Sequence, residues 1–574
     1  MLRKVLNYFS ISKPSLVLIL IGTFVWSLVM VRSGIVYDYG MGFWGPNGHD
    51  GVWHIALINS LARGSWEMPI FAGEVIKNYH IGFDLFVAII HKLTFIPVTT
   101  LYFQVLPPIM AFFIGFFAYK FVYSWRKSTT QAFWALFFIY FGGGFGAIVT
   151  LIRGQGIAGD SMFWVQSQVT TLINPSLAFS LLLIFLSLGL LYKGVENKNK
   201  KKLIAAAVIF GLLIQIKVYA GLLILGSLLV VSIFKLIKGR ENRLIKVFLG
   251  ALVVSTLVTL PLYSSAKSTF EFQPFWFLET MMAVSDRANW PKFYEAMINY
   301  RAAGNWPRAL LAYIVAFVIF YYGNLGTRLL HDFYLVKKLR VIKNVSWIDV
   351  MLITIIVSGI VMPLLFVQKG TPWNTIQFMY YSLALSGIYA GFVFADILHT
   401  QKKKVSKAII ISVLMIFTLP TTIATMRHYL PTNPPAILST EELEATRFLS
   451  EKPDGIVLTY LYGVVPLGTE IPSNLIPLYL YTSTSYVSAY ADKPVFLEGE
   501  SNLNISSYDW PKRKEEISVF YDSLDQVEVR KFLNDNDITY IYWIKGQRAR
   551  LGETQLGIER IFENNSVDIY EVSK

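Results

Sequence analysis

Long apolar runs separated by clusters of lysine and arginine constrain this chain more than any other feature. Such runs fall at about 16–31, 101–123, 133–151, 177–192, 203–216, 221–234, 247–263, 309–322, 348–366, 378–397 and 408–426. Each approaches the roughly 20 residues that cross a bilayer as a helix. A further segment, GFDLFVAIIHKLTFI at 82–96, is apolar but short and interrupted by Asp84, His91 and Lys92. It reads as a short span or a re-entrant helix, so the expected count is about 11 to 13 spans. With 54% hydrophobic and 15% charged residues, a packed soluble fold is excluded. The expected fold class is a polytopic α-helical membrane protein with a small extracytoplasmic C-terminal α/β domain.

The basic clusters set the sidedness. Those at 125–127, 198–202, 235–246, 336–343 and 401–407 lie between spans, which is the positive-inside pattern. They therefore account for the net charge of +14 as topology, and with no basic stripe interleaved with aromatics a nucleic-acid partner is excluded. Working from these clusters, the loops at 32–82, 153–176 and 264–308, the turns around Lys217 and at 370–377, and the chain after Arg427 are expected outside the cytoplasm. The absence of cysteine removes disulfides, thiolate catalysis and Cys-ligated metals. The short N-terminus and the lack of lipidation or retention signals point to a prokaryotic plasma membrane.

From about Tyr429 the composition changes. PTNPP at 431–435 marks a linker. EELEATRFLSEKP reads as an amphipathic helix, GIVLTYL, ITYIYWI and VDIYEV as short strands, and 527–534 as another helix. The expected division is a membrane domain at 1–428, carrying the first loop, and an α/β domain at 429–574.

Between Trp44 and Asp84 the chain gathers His49, Asp50, His54, Glu67, Tyr79, His80 and Asp84, including three of its seven histidines. Ionisable groups beside a membrane cost desolvation energy, so this concentration is a candidate site. Asp50 falls at the start of a helix, where it reads as a capping aspartate or as a base at the membrane boundary. His54 and His80 could shape the acceptor pocket or serve as alternative bases, a role open to histidine side chains in general. HDxxxH has zinc-like spacing without a third ligand; a hard divalent cation such as Mg or Mn suits carboxylates better. Asp160 is the candidate second carboxylate.

The other expected outside turns offer cations and stacking faces. Lys217 sits in an apolar stretch, where it needs an anionic partner such as a lipid phosphate or snorkels to the interface. QKGTPWNTIQ brings Lys369, Trp373, Asn374 and Gln377 to a helix start, a phosphate and sugar site or an aromatic belt. Arg287 is expected on a surface helix over the site, and Gln166 in the 153–176 loop. Asn174 before Pro175 is placed to cap the next helix. FGGGFG at 141–146 lacks the Gly-Lys-Ser/Thr ending of a phosphate loop and reads as a packing or kink element.

An acidic residue in a long first loop just before a juxtamembrane helix, the aromatic-His start NYHIGFD, many spans and an extracytoplasmic C-terminal domain together resemble the GT-C superfamily of integral-membrane glycosyltransferases. Its relatives include protein mannosyltransferases, aminoarabinose transferases and oligosaccharyltransferase catalytic subunits. The resemblance covers roughly the first 430 residues as architecture. It departs from the family where a second acidic residue often accompanies the loop aspartate, since Gly51 follows Asp50 here. It implies transfer of a sugar, with inversion, from a polyprenyl-phosphate-linked donor to an extracytoplasmic glycan, lipid or protein. Asp50 would be the base or acceptor-orienting carboxylate. A lipid-linked glycan transporter or flippase, and a non-catalytic membrane assembly protein, are the alternative expectations.

Overall fold

The computed structural model describes residues 11–239, 241–263, 270–340, 345–465, 475–523, 525–547 and 557–573. The chain divides into two compact units. The first comprises Met1–Val29, Pro108–Pro261 and Ser265–Tyr429; the second comprises Met30–Pro107, Leu262–Ser264 and Leu430–Lys574.

The first unit is helical. Among the described residues, eight helices are long and apolar enough to cross a membrane: Lys13–Val31, Val98–Arg126, Pro175–Glu196, Val218–Gly239, Trp306–Lys338, Trp347–Leu365, Pro372–Thr400 and Lys404–Tyr429. The protein is therefore a multi-pass membrane protein. Two more of the expected spans fold as helices of 17 residues, Lys200–Ile216 and Arg243–Thr259, just under the usual spanning length. The run expected at 133–151 is instead broken into Thr129–Phe141 and Gly146–Ile152, bent by 61°.

Glycine makes that break. Phe145 N–H donates to the Gly323 carbonyl at 2.8 Å, and a Cβ on Gly144 would lie 2.5 Å from the same oxygen. Gly326 has φ +56, and a Cβ there would meet the Gly143 carbonyl oxygen at 2.0 Å. Freed carbonyls inside a membrane must find donors, and hydroxyls supply them: Thr421 bonds Gly144 at 2.6 Å and Thr422 bonds Phe141 at 3.2 Å. Arg328, fully buried, similarly binds the carbonyls of Asn324 at 2.8 Å and Leu325 at 3.0 Å. FGGGFG is thus a packed helix break, as a kink element should be.

The second unit joins the first loop to the C-terminal chain. One four-stranded sheet runs Ile35–Tyr37, Gly40–Phe43, Ala436–Leu438, Ile476–Pro477. The first loop, expected with the membrane helices, packs here because Gly40–Phe43 pairs antiparallel with Ala436–Leu438. The other sheet runs Ile456–Thr459, Ile538–Ile544, Val567–Val572, Ile558–Glu563. Its first pair is parallel and the rest antiparallel. Ile558–Glu563 had no expected counterpart. Gly82–Thr94 is a helix of 13 residues, about 20 Å long and too short to cross the roughly 30 Å hydrocarbon core. The 82–96 segment therefore does not span.

Candidate functional site

In the second unit the ionisable side chains collect around the helix Asp50–Arg63. The chain enters it through the tight turn Gly45–Gly48, with Pro46 at its start. Trp44 N–H and Asn47 Nδ2 both donate to Ser33 Oγ, at 3.0 and 2.9 Å. From the C-terminal chain, Thr484 Oγ1 donates to the Gly48 carbonyl at 2.9 Å and Tyr481 hydroxyl to that of Gly45 at 3.2 Å. This turn is fixed from both sides. Asp50 then opens the helix in its first turn, where a negative charge is favoured, while His49 holds the cap position without a side-chain cap bond. His49 Nδ1 lies 2.8 Å from Asp50 Oδ1. The Asp50 side chain remains 52% exposed and that of His49 18%, so the carboxylate is oriented yet accessible.

His54, one turn further on, is committed elsewhere. Its Nδ1 lies 2.6 Å from Oδ1 of Asp84, which is fully buried at the start of the helix Gly82–Thr94. The ring stacks on Tyr102 at 5.8 Å. This contact fixes the orientation of the imidazole ring. Asp84, expected to bind substrate, is instead an interior partner of His54, and His54 itself is buried. Trp53 Nε1 donates to the Tyr79 hydroxyl at 3.2 Å, and His80 sits edge-on to Tyr79 at 4.6 Å. Glu67 turns away from this cluster: its Oε1 accepts from Gly73 N–H at 2.6 Å and closes a tight turn. That is a structural role, because the turn's own donor takes up the carboxylate.

The first unit holds two further groups. In one, Lys217 ends the helix Lys200–Ile216, and its buried Nζ donates to Asn174 Oδ1 at 3.3 Å. Asn174 caps Pro175–Glu196 through Leu177 N–H, as its position before Pro175 predicts. It also contacts Gln377 Oε1 at 3.5 Å. Lys217, Asn174 and Gln377 therefore come together. Lys369 and Trp373 are exposed, and Asn374 Nδ2 bonds Thr371 Oγ1 at 3.0 Å within its own turn. A 3-10 turn, Pro372–Ile376, precedes the helix Gln377–Thr400, so of the four residues expected at a helix start Gln377 opens the helix, while Lys369, Trp373 and Asn374 come before it.

In the other group, half-buried Asp160 accepts from Ser167 N–H at 3.1 Å and from the Thr425 hydroxyl. Burial pushes its carboxyl up to about 6 despite those bonds and the nearby Arg287. Arg287 lies in a turn rather than on a helix. Its guanidinium sits 4.3 Å over the Trp164 ring and donates to Ser161 Oγ at 2.9 Å. Trp164 has φ +81, a costly conformation for a bulky residue. Gln166 is clasped by two tyrosines: Tyr380 hydroxyl donates to its Oε1 at 3.3 Å, and its Nε2 donates to Tyr429. These tyrosines and Thr425 carry no local sequence signal, since they lie more than 200 residues from their partners.

Asp160 is a poor ligand for a divalent cation, since one of its oxygens is taken by two donors in surroundings that favour its protonated form; Asp50 stays accessible beside His49. Among the described residues no three His, Cys, Asp or Glu side chains converge.

The fold defines the class: polytopic membrane helices with a C-terminal sheet-bearing part, as expected from the sequence and as found in solved membrane proteins. Among the solved structures it is similar to is the archaeal oligosaccharyltransferase of Archaeoglobus fulgidus. Its apo form superposes with a TM-score of 0.52 at 10% identity, covering 92% of this chain and 69% of that one. The form tethered with an acceptor peptide containing the NVT sequon gives 0.51 at 12% identity, with 92% and 69% covered. The form in complex with an inhibitory peptide and a dolichol-phosphate, named AglB, gives 0.51 at 11% over the same shares; another carries Zn and sulfate. At these identities the likeness is one of fold. No family model matches the sequence, and no curated protein matches it.

Proposed function

We propose that this chain is a membrane glycosyltransferase that moves a sugar from a polyprenyl-phosphate-linked donor to an acceptor outside the cytoplasm. The observation that carries the reading is Asp50, an accessible carboxylate at a helix start, held by His49 on a turn braced from two sides. The shared fold with a protein solved in complex with a dolichol-phosphate supports the donor class.

In this mechanism the acceptor hydroxyl attacks the anomeric carbon and Asp50 accepts its proton. The new carbon–oxygen bond forms as the bond to the phosphate oxygen breaks, and the electron pair leaves with the polyprenyl phosphate, inverting the centre. Lys217, Arg287 and the more exposed Lys369, all in the first unit, are candidate cations for the donor's phosphate. His49 positions the base. His54 acts through Asp84 and Tyr102 by holding the helix that carries Asp50. His80, Tyr79 and Trp373 offer faces to sugar rings, and Gln166, Asn374 and Gln377 offer amides. No step is routed through a metal.

Native mass spectrometry of lipid co-purifying with wild type and Lys217→Ala tests the donor. Polyprenyl phosphate or its glycosylated form, held by the wild type and lost from the variant, is the expected result. Bulk phospholipid alone in both would remove the donor assignment and favour a lipid-linked glycan flippase, for which charged groups along the spans would matter more than Asp50.

A further inference from the structure

In the first unit, some cations are matched by acids and others are solvated. Lys235 and Arg243 both meet Glu241, at 2.8 and 2.9 Å, and Lys338 meets Asp349 at 3.4 Å. Lys402 and Lys403 are exposed. One cluster differs. Lys193 lies in the last turn of Pro175–Glu196, and Lys202 in the first turn of Lys200–Ile216. A Cβ on Gly194 would come within 2.7 Å of the Leu203 side chain, so the two helix ends pack directly where these neighbouring lysines stand. The charges of Lys120, Lys202 and Lys127 all act on Lys193. Lys120, Lys193 and Lys202 are each half-buried. Lys120 stands about 9 Å inside the end of the span Val98–Arg126. The carboxylate of Glu196 accepts from Trp347 Nε1 at 3.5 Å. The first turn of Lys200–Ile216 contains no acidic residue, and its lysines stand at the positive end of the helix dipole, where cations are disfavoured.

We propose that Lys120, Lys193 and Lys202 form a binding site for the phosphate headgroup of an anionic phospholipid, in the leaflet at that end of the spans. Like charges held together in partly desolvated surroundings repel, and an anion among them turns that repulsion into attraction. Ammonium groups between helices at the edge of the hydrocarbon stand at the depth of lipid phosphates, where basic groups hold anionic headgroups. A free phosphate would make the same ion pairs, but a lipid gains more. Exposed Ile204, Val208 and Leu212 recur every fourth residue down Lys200–Ile216 from the lysines, a single apolar stripe along which an acyl chain can lie. The inference is independent of the transfer reading, since Lys217, the cation proposed for the donor, stands at the opposite end of that helix.

The test titrates the full-length chain, in an uncharged detergent, with phosphatidylglycerol, phosphatidylcholine or glycerol 3-phosphate and follows the thermal midpoint. Phosphatidylglycerol should raise it by roughly 3–8 °C at a hundredfold excess over the dissociation constant, and the other two by less than half as much. Lys193→Gln/Lys202→Gln should lose most of that response, while Lys193→Arg/Lys202→Arg, which restores the charge, should keep it. Lys402→Gln/Lys403→Gln, at exposed positions, should respond as the wild type does. The proposal is overturned if phosphatidylcholine acts as strongly as phosphatidylglycerol, if glycerol 3-phosphate suffices, or if Lys193→Gln/Lys202→Gln keeps the full response.

Discussion

Removing the His54 imidazole tests whether the contact with Asp84 holds the helix of Asp50 in place. In His54→Ala the buried Asp84 loses the donor at 2.6 Å, and Tyr102 loses the ring stacked on it at 5.8 Å. A buried acceptor left without its partner costs about 1–3 kcal/mol, rising to 3–5 if the pair is charged. The lost ring contact adds about 1 kcal/mol. A total near 3 kcal/mol corresponds to a fall of roughly 5–10 °C in the apparent midpoint of a unit of this size. The assay is thermal unfolding of His54→Ala, Asp84→Ala and the double variant. The double should fall short of the sum of the singles by an amount equivalent to about 2 kcal/mol, because each single strands the other's polar group. His54→Gln separates positioning from catalysis. Its amide still donates to Asp84, so stability and a substantial part of turnover should return. Additive shifts would refute the coupling, and a stable but inactive His54→Gln would make His54 a base instead.

Asp50→Asn keeps the shape of the helix start and removes the base, so transfer of radiolabelled sugar should fall about 10²–10⁴-fold with an unchanged melting midpoint; near wild-type turnover would eliminate Asp50 from the mechanism. Burial raises Glu498 from 4.5 to about 8 and Glu442 from 4.5 to about 7. The folded state thus binds protons that the unfolded state has released, and each group's stabilisation, complete below about pH 4.5, is lost as pH rises toward those values at up to about 1.4 kcal/mol per pH unit. Glu498→Gln should flatten the fall in melting midpoint between pH 5 and 8, measured across a buffer series (roughly half of the combined slope); an unchanged profile contradicts the assignment. Gly326→Ala forces a Cβ to 2.0 Å from the Gly143 carbonyl at φ +56, a strain of about 1–3 kcal/mol before the clash is counted. It should broaden size-exclusion profiles and lower the midpoint, whereas Gly250→Ala, with 3.4 Å to its nearest neighbour, should not.

Apolar runs and basic clusters determined by themselves that this is a multi-pass membrane protein, because the length of a bilayer and the desolvation of charge act on each segment separately. Local rules also settled Asn174 and Pro175 as a helix start, and the strands ITYIYWI and VDIYEV, whose alternating and branched residues need no distant information. Tertiary structure decided what each polar group is for. His54 shares a helix with Asp50, four residues away, but its partner is Asp84, thirty residues on. Glu67, in the same stretch of sequence, closes a turn. Asp160, a candidate metal carboxylate by sequence, meets Thr425, 265 residues distant. The first loop joins the C-terminal sheet through strands nearly 400 residues apart. A hydrogen bond is satisfied by whichever partner the fold brings within about 3 Å, and sequence spacing predicts that partner only inside one helix or turn.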